Sequence, residues 1–258
     1  MKNNPRLLEE KANKLLSEEK YSDAYPLFKK ASHLYRENNN LKEATLCCTL
    51  AASCWSIKSG EKRFHNAAIL YERAASDAVS CNDYEYASLL YKQAAINYER
   101  DRELISLSDC LYKSRETYRR YLTYRLFKPN KINQITKSKD KKGFYSTLKR
   151  FFIWLMLSIS YLIWGHGEKP SRTFLTCAVI ILISAVLYSL GHTIKEGIIS
   201  RPNLSDAIYF SVITFSTVGF GDVTAVGLTK IVVMFESMSG IFIMPLFIVG
   251  FSRKYLRI

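Results

Sequence analysis

Two uncharged runs constrain the second half of this 258-residue chain more than any other feature. Thr173 to Leu190 supplies eighteen consecutive uncharged residues, and Ile231 to Phe251 supplies twenty-one with a single charge, at Glu236. Each approaches the roughly 20 residues that a helix needs to cross a bilayer. Between them, Asn203 or Ser205 can cap a helix running to Ser216, too short to cross, that leads directly into Thr217-Val218-Gly219-Phe220-Gly221-Asp222. Irregular backbone at membrane depth is tolerated only where it is buried or lines a polar path, so this hexapeptide needs a special setting. A third apolar run, Phe151 to Trp164, has fourteen residues. It is short for a span and reads as an interfacial helix with Trp154, Tyr161 and Trp164 at headgroup level.

Charge sets the expected orientation. Lys169 and Arg172 precede the first long run, and Arg253, Lys254 and Arg257 follow the second, which predicts both termini in the cytoplasm. The formal net charge is +14, and from Arg119 to Arg150 there are eleven Lys or Arg and one acid, Asp140. That position, just before the membrane segments, predicts attraction to anionic lipid headgroups rather than to nucleic acid. Met1 to Lys20 is strongly charged and does not read as a cleavable signal. Cys47, Cys48, Cys54, Cys81, Cys110 and Cys177 have no paired CxxC spacing and read as reduced thiols, those on the Ala-rich helices being small buried side chains.

The N-terminal half repeats itself. The stretch beginning at Leu27 aligns with that beginning at Leu70 at a shift of 43 residues. Phe28 falls on Tyr71, Ala31 on Ala74, Asn39 on Asn82, Ala44 on Ala87, Ala51 on Ala94, Ala52 on Ala95 and Trp55 on Tyr98, with a weaker third start at Leu111. Small residues where helices approach, aromatics in the gaps and Asn-rich turns predict an array of helical hairpins. The aromatic stripe Tyr71, Tyr84, Tyr86, Tyr91 and Tyr98 reads as core and inter-repeat packing. Over about residues 6–125 the pattern resembles tetratricopeptide repeats, and its LYERAA wording resembles the soluble NSF attachment proteins; neither resemblance transfers a partner.

Residues 171–251, with TVGFGD at 217–222 and WGHGEKPSR at 164–172, resemble the two-transmembrane potassium-channel pore family of bacterial type. The resemblance implies an outer helix, a re-entrant pore helix, a selectivity filter and an inner helix, assembled as a homotetramer in a bacterial inner membrane. It implies K+ held by stacked carbonyls of Thr217, Val218, Gly219 and Phe220, with the Thr217 hydroxyl completing the inner site. Gly219 and Gly221 allow backbone angles that other residues resist. Val218 and Phe220 are expected to turn away from the ions and pack on the pore helix through Tyr209 and Phe210. The helix end near Ser216 is expected to point its partial negative charge at the cavity. Asp222 marks the outer mouth. Phe220 stands where Tyr is commoner, and Ile213 stands where some relatives place a carboxylate that partners the filter acid, so Asp222 must find another donor or water.

On the inner helix, Gly240 is either a gate hinge or a small residue that permits close packing. Glu236 is either a functional acid or a protonated or hydrogen-bonded brace behind the pore helix, through Thr214. No run of spaced arginines marks a voltage sensor. Seven residues after Phe251 offer no room for a nucleotide-binding regulator, so regulatory input is expected from the N-terminal array.

The fold class predicted is all-α. Residues 1–127 form the repeat domain, 128–147 a basic linker, 148–170 an interfacial helix and junction, and 171–258 the pore domain. The function expected is passive K+ conduction; the alternatives are a weakly selective cation channel, or a membrane-anchored adaptor with a non-conducting pore whose repeat surface binds a protein. His33, His65, His166 and His192 are scattered, and no nucleophile motif or phosphate-cradling loop occurs, so neither an enzyme nor a cofactor is expected beyond K+ as the permeant ion.

Overall fold

The computed structural model describes residues 4–57, 62–127 and 144–255. They form two compact units, Met1–Tyr161 and Leu162–Ile258. Most of the basic linker, residues 128–143, lies outside the described residues.

The first unit opens with six helices, each packed on the next: α1 (Pro5–Ser17), α2 (Tyr21–Glu37), α3 (Leu41–Ile57), α4 (Arg63–Ser80), α5 (Tyr84–Arg100) and α6 (Leu104–Phe127). The sequence repeat is their cause. Ala31 and Ala74, Ala44 and Ala87, Ala51 and Ala94, and Ala52 and Ala95 are all buried, as are Phe28 and Tyr71. An alanine here lets neighbouring helix backbones approach while losing no side-chain entropy. The turns repeat as well. Glu19, Asn39, Asn82 and Arg102 each adopt a left-handed conformation, with φ between 57° and 62°. In each case the next amide reaches back to a carbonyl in the last helical turn, as Asn40 N to Tyr35 O at 2.8 Å and Asp83 N to Ala78 O at 2.9 Å.

The tyrosine stripe packs, and the hydroxyls of Tyr71, Tyr84, Tyr86 and Tyr98 find partners. Tyr71, Tyr91 and Tyr98 are buried, Tyr71 pairs with Ser53 at 2.9 Å, and Tyr84 stacks on Tyr124 at 5.2 Å. Between the repeats, Arg36 of α2 makes two hydrogen bonds to the buried Asp77 of α4.

Helix α7 (Phe144–Trp164) is longer than the apolar run from which an interfacial helix was expected, because residues 144–150 continue it in the same conformation. At this length it joins α8 (Pro170–Leu190) and α10 (Thr229–Tyr255) as a helix long and apolar enough to cross a membrane. Length therefore does not set α7 apart from the other two. Its aromatic residues nevertheless pack on α6 of the same unit. Trp154 donates its indole hydrogen to Thr123 at 2.9 Å, Tyr161 stacks on Tyr112 at 6.5 Å, and the Arg119 guanidinium lies 4.7 Å from the Tyr161 ring centre.

In the second unit a short 3-10 turn, Gly165–Gly167, leads into α8, and α9 (Leu204–Phe215) packs against both α8 and α10. Among the described residues the architecture is all-α apart from one small feature that sequence reading missed. Strands β1 (His192–Lys195), β2 (Ile198–Ser200) and β3 (Val223–Val226) form an antiparallel sheet in the order β2-β1-β3. They are three or four residues long, too short for alternation to stand out.

Candidate functional site

Helix α9 begins where Asn203 caps it, its side chain accepting from Asp206 N at 2.7 Å, and Lys195 of β1 holds the Asp206 carboxylate from outside at 3.1 Å. It ends at Phe215, with Ser216 as C-cap. The chain then turns back on the last turn of the helix. Thr217 N donates to Thr214 O at 3.1 Å, while Val218 N and Gly219 N both donate to Ile213 O, at 3.0 and 3.2 Å. Ile213 thus anchors the hexapeptide through its carbonyl, and its side chain is buried.

The backbone from 217 to 221 alternates. Thr217, Gly219 and Gly221 have φ of 59°, 52° and 81°, whereas Val218 and Phe220 keep negative φ. In an ordinary strand successive carbonyls point to opposite sides. Reversing the sign of φ at every second residue is the backbone pattern that lets them turn toward one side as a row of oxygens. Glycine tolerates this freely, but a β-branched Thr217 does so only at a cost of about 1–3 kcal/mol, a strain characteristic of functional sites.

Asp222 closes the row. Its donor, missing from the sequence reading, is Tyr209 of α9, whose hydroxyl reaches Asp222 Oδ2 at 2.8 Å. Immediately afterwards β3 pairs with β1, Lys195 opposite Val223. Thr229 Oγ1 accepts from Val226 N at 2.9 Å and lies 3.0 Å from His192 O, tying the start of α10 to both strands. The outer end of the hexapeptide is therefore fixed by a side chain on one flank and a sheet on the other.

Val218 and Phe220, expected to turn away from the ions and pack on the pore helix through Tyr209 and Phe210, are 55% and 70% exposed in the single chain. Tyr209 serves Asp222, and Phe210 is buried against Tyr188 of α8 at 4.8 Å.

Behind α9 the inner helix makes two close approaches. Glu236 is fully buried and hydrogen bonds Tyr188 at 2.5 Å and Ser211 of α9, instead of Thr214. One turn later, a Cβ placed on Gly240 would lie 1.9 Å from the carbonyl oxygen of Phe215. No side chain fits there. Close packing against the C-terminal end of α9 is thus a requirement at Gly240.

Histidines that look scattered in sequence are not all isolated. His65 Nδ1 lies 2.8 Å from Glu103 Oε2 and 3.4 Å from Asp101 Oδ2, a cluster in the repeat unit formed by residues nearly forty positions apart. The buried thiols, by contrast, are in inert surroundings. Burial pushes Cys47 and Cys110 up to about 12 and Cys48 up to about 11, so none supplies a thiolate at neutral pH.

No curated protein and no solved structure matches the chain. Residues 175–257 match the family model described as an ion channel, and together with three apolar helices of spanning length this match supports an ion channel embedded in a membrane.

Proposed function

We propose that the chain is one subunit of a potassium-selective channel, with four copies bringing residues 217–221 around a common axis. The observation that carries this reading is the alternation of φ along Thr217, Val218, Gly219, Phe220 and Gly221, which turns successive carbonyls to one side. A dehydrated K+ needs several oxygen ligands at once, and four such rows supply stacked rings of them. The exposed Val218 and Phe220 suit burial against neighbouring subunits, which a single chain cannot offer. The C-terminal end of α9, with its partial negative charge, favours a cation at the inner end of the row.

In this reading α8 and α10 cross the membrane and both termini are cytoplasmic. The contacts of α7 with the charged α6 favour its lying at the interface. The repeat unit regulates the pore by binding a protein partner. A groove of about 580 Å³ lined by Lys29, Lys30 and Arg73 among others suits an acidic segment of that partner.

Reconstitution in liposomes and planar bilayers tests the function. Under opposed K+ and Na+ gradients the reversal potential is expected to lie close to that of K+. A reversal potential near zero would instead mean a weakly selective cation pore, and absence of any flux would favour the membrane-anchored adaptor. Removing residues 1–125 is expected to change single-channel open probability; an unchanged value would remove the regulatory role.

A further inference from the structure

Glu236 lies mid-way along α10 with 2% of its surface exposed, and hydroxyl groups from two helices turn toward it. Tyr188 of α8 donates its phenolic hydrogen to Glu236 Oε2 at 2.5 Å. Ser184, one turn earlier on α8, also faces the carboxyl group, and Thr214 of α9 faces the Tyr188 hydroxyl. The other oxygen, Oε1, is hydrogen bonded to Ser211 Oγ of α9. Ser211 Oγ makes a second bond, to the Ile181 carbonyl of α8, at 2.8 Å.

Counting hydrogens fixes the directions. A carbonyl oxygen only accepts and a serine hydroxyl has one hydrogen, so that hydrogen goes to Ile181. The bond between Ser211 and Glu236 must then take its hydrogen from Glu236, and a carboxylate has none. We propose that Glu236 is a neutral carboxylic acid, the central link of a chain running from Tyr188 through Glu236 and Ser211 to Ile181, and that this chain positions the pore helix behind the filter.

The surroundings agree. A buried carboxylate needs a cation or several donors to offset its desolvation. Lys230, six residues earlier on α10, is exposed; Arg172 lies at the far end of α8; and Asp206 of α9 is held by Lys195. Tyr188 is the titratable group that faces Glu236, and β3 brings no charged residue. The location gives the chain its leverage. Ser211 and Phe215, two points where α10 meets α9, flank Ile213 and Thr214, whose carbonyls receive the first three filter amides.

The positioning role rests on the proposed reading of residues 217–221 as a K+ filter; the protonation state does not. Full-length wild type, E236Q, E236A and S211A are compared in liposomes. The Gln amide reproduces the neutral acid, its oxygen accepting from Tyr188 and its nitrogen donating to Ser211. E236Q is expected to keep K+ flux within about twofold of wild type, whereas E236A and S211A lose about tenfold or more, the scale of one buried hydrogen-bond partner left unsatisfied. The infrared difference spectrum between wild type and E236Q should contain the carbonyl stretch of a protonated carboxylic acid. Carboxylate bands in its place would overturn the neutral acid. E236Q as impaired as E236A, in protein that still elutes as a single folded species, would overturn the hydrogen-bond chain, and unchanged flux and K+/Na+ ratio in S211A would overturn its role in positioning. If wild type conducts no K+, the filter reading fails while the infrared band still decides the state of Glu236.

Discussion

In the repeat unit the fully buried positions are mostly alanines such as Ala24, Ala31, Ala44 and Ala74, with Phe28 and the thiols Cys47 and Cys48, whereas in the second unit Ala207 is joined by Tyr188, Thr193, Ser211 and Glu236. Their surfaces are reversed in the same sense. The repeat unit exposes Lys29, Lys30 and Arg73, while α8 and α10 expose Phe174, Leu182, Met234 and Phe242. One half is built for water, where hiding apolar surface drives folding. The other is built for lipid, where apolar surface gains little by hiding and helices are fastened by close backbone approach and interhelical hydrogen bonds. A small residue therefore has a different meaning in each half. In the array an alanine sets the spacing between helices. At Gly240 the neighbour is the Phe215 backbone carbonyl, which leaves no room for a side chain.

The largest expected effect breaks the second unit at that point. Gly240→Ala places a methyl group 1.9 Å from the Phe215 oxygen, and K+ flux in liposomes is expected to fall below detection. An active Gly240→Ala channel would show that α10 has room to move away, as a hinge would allow. The matching disruption in the array is Asp77→Ala, which leaves the half-buried Arg36 without its carboxylate. Thermal or urea unfolding of the full chain is expected to show the repeat unit destabilised by about 2–3 kcal/mol, toward the low end for a broken buried pair. Flux from folded protein should change far less, since the residue is remote from residues 217–222 in sequence and belongs to the other unit.

A smaller effect is expected at the Tyr209–Asp222 hydrogen bond. Tyr209→Phe removes the donor to Asp222 while keeping the ring. About a fivefold fall in K+ flux or K+/Na+ ratio is expected, the equivalent of ~1 kcal/mol for one hydrogen bond; no change would mean that the β3 pairing alone fixes the outer end. The smallest effect concerns the thiols. Cys47, Cys48 and Cys110 lose their protons only near 11–12 when folded, against an ordinary value of 9.0. The unfolded chain gives up those protons first, so stability is unaffected below about pH 9 and falls from there toward about 11–12. A water-soluble thiol reagent at neutral pH should accordingly modify the half-exposed Cys81 while sparing these three. Their rapid modification in folded protein would show that the array opens.

Much of this was legible in the sequence because it was carried by periodicity and composition. The 43-residue shift predicted hairpins that the buried alanine pairs and the repeated left-handed turns reproduce. Uncharged runs predicted α8 and α10, and the hexapeptide predicted where the backbone must be unusual. What was not legible depended on partners far away in the chain. Asp222 finds Tyr209, Glu236 finds Tyr188 and Ser211, and His65 finds Asp101 and Glu103, pairings that leave no local pattern.

The sequence by itself therefore determined two solvents and two kinds of helix, since the hydrophobic effect and bilayer thickness act on runs of residues and are readable one segment at a time. Only the tertiary structure decided why Gly240 admits no side chain, which hydroxyls hold Glu236 and how a short sheet follows directly on Asp222. Hydrogen bonds and steric contacts act over 2–4 Å, and only the folded chain brings residues tens of positions apart to within that distance.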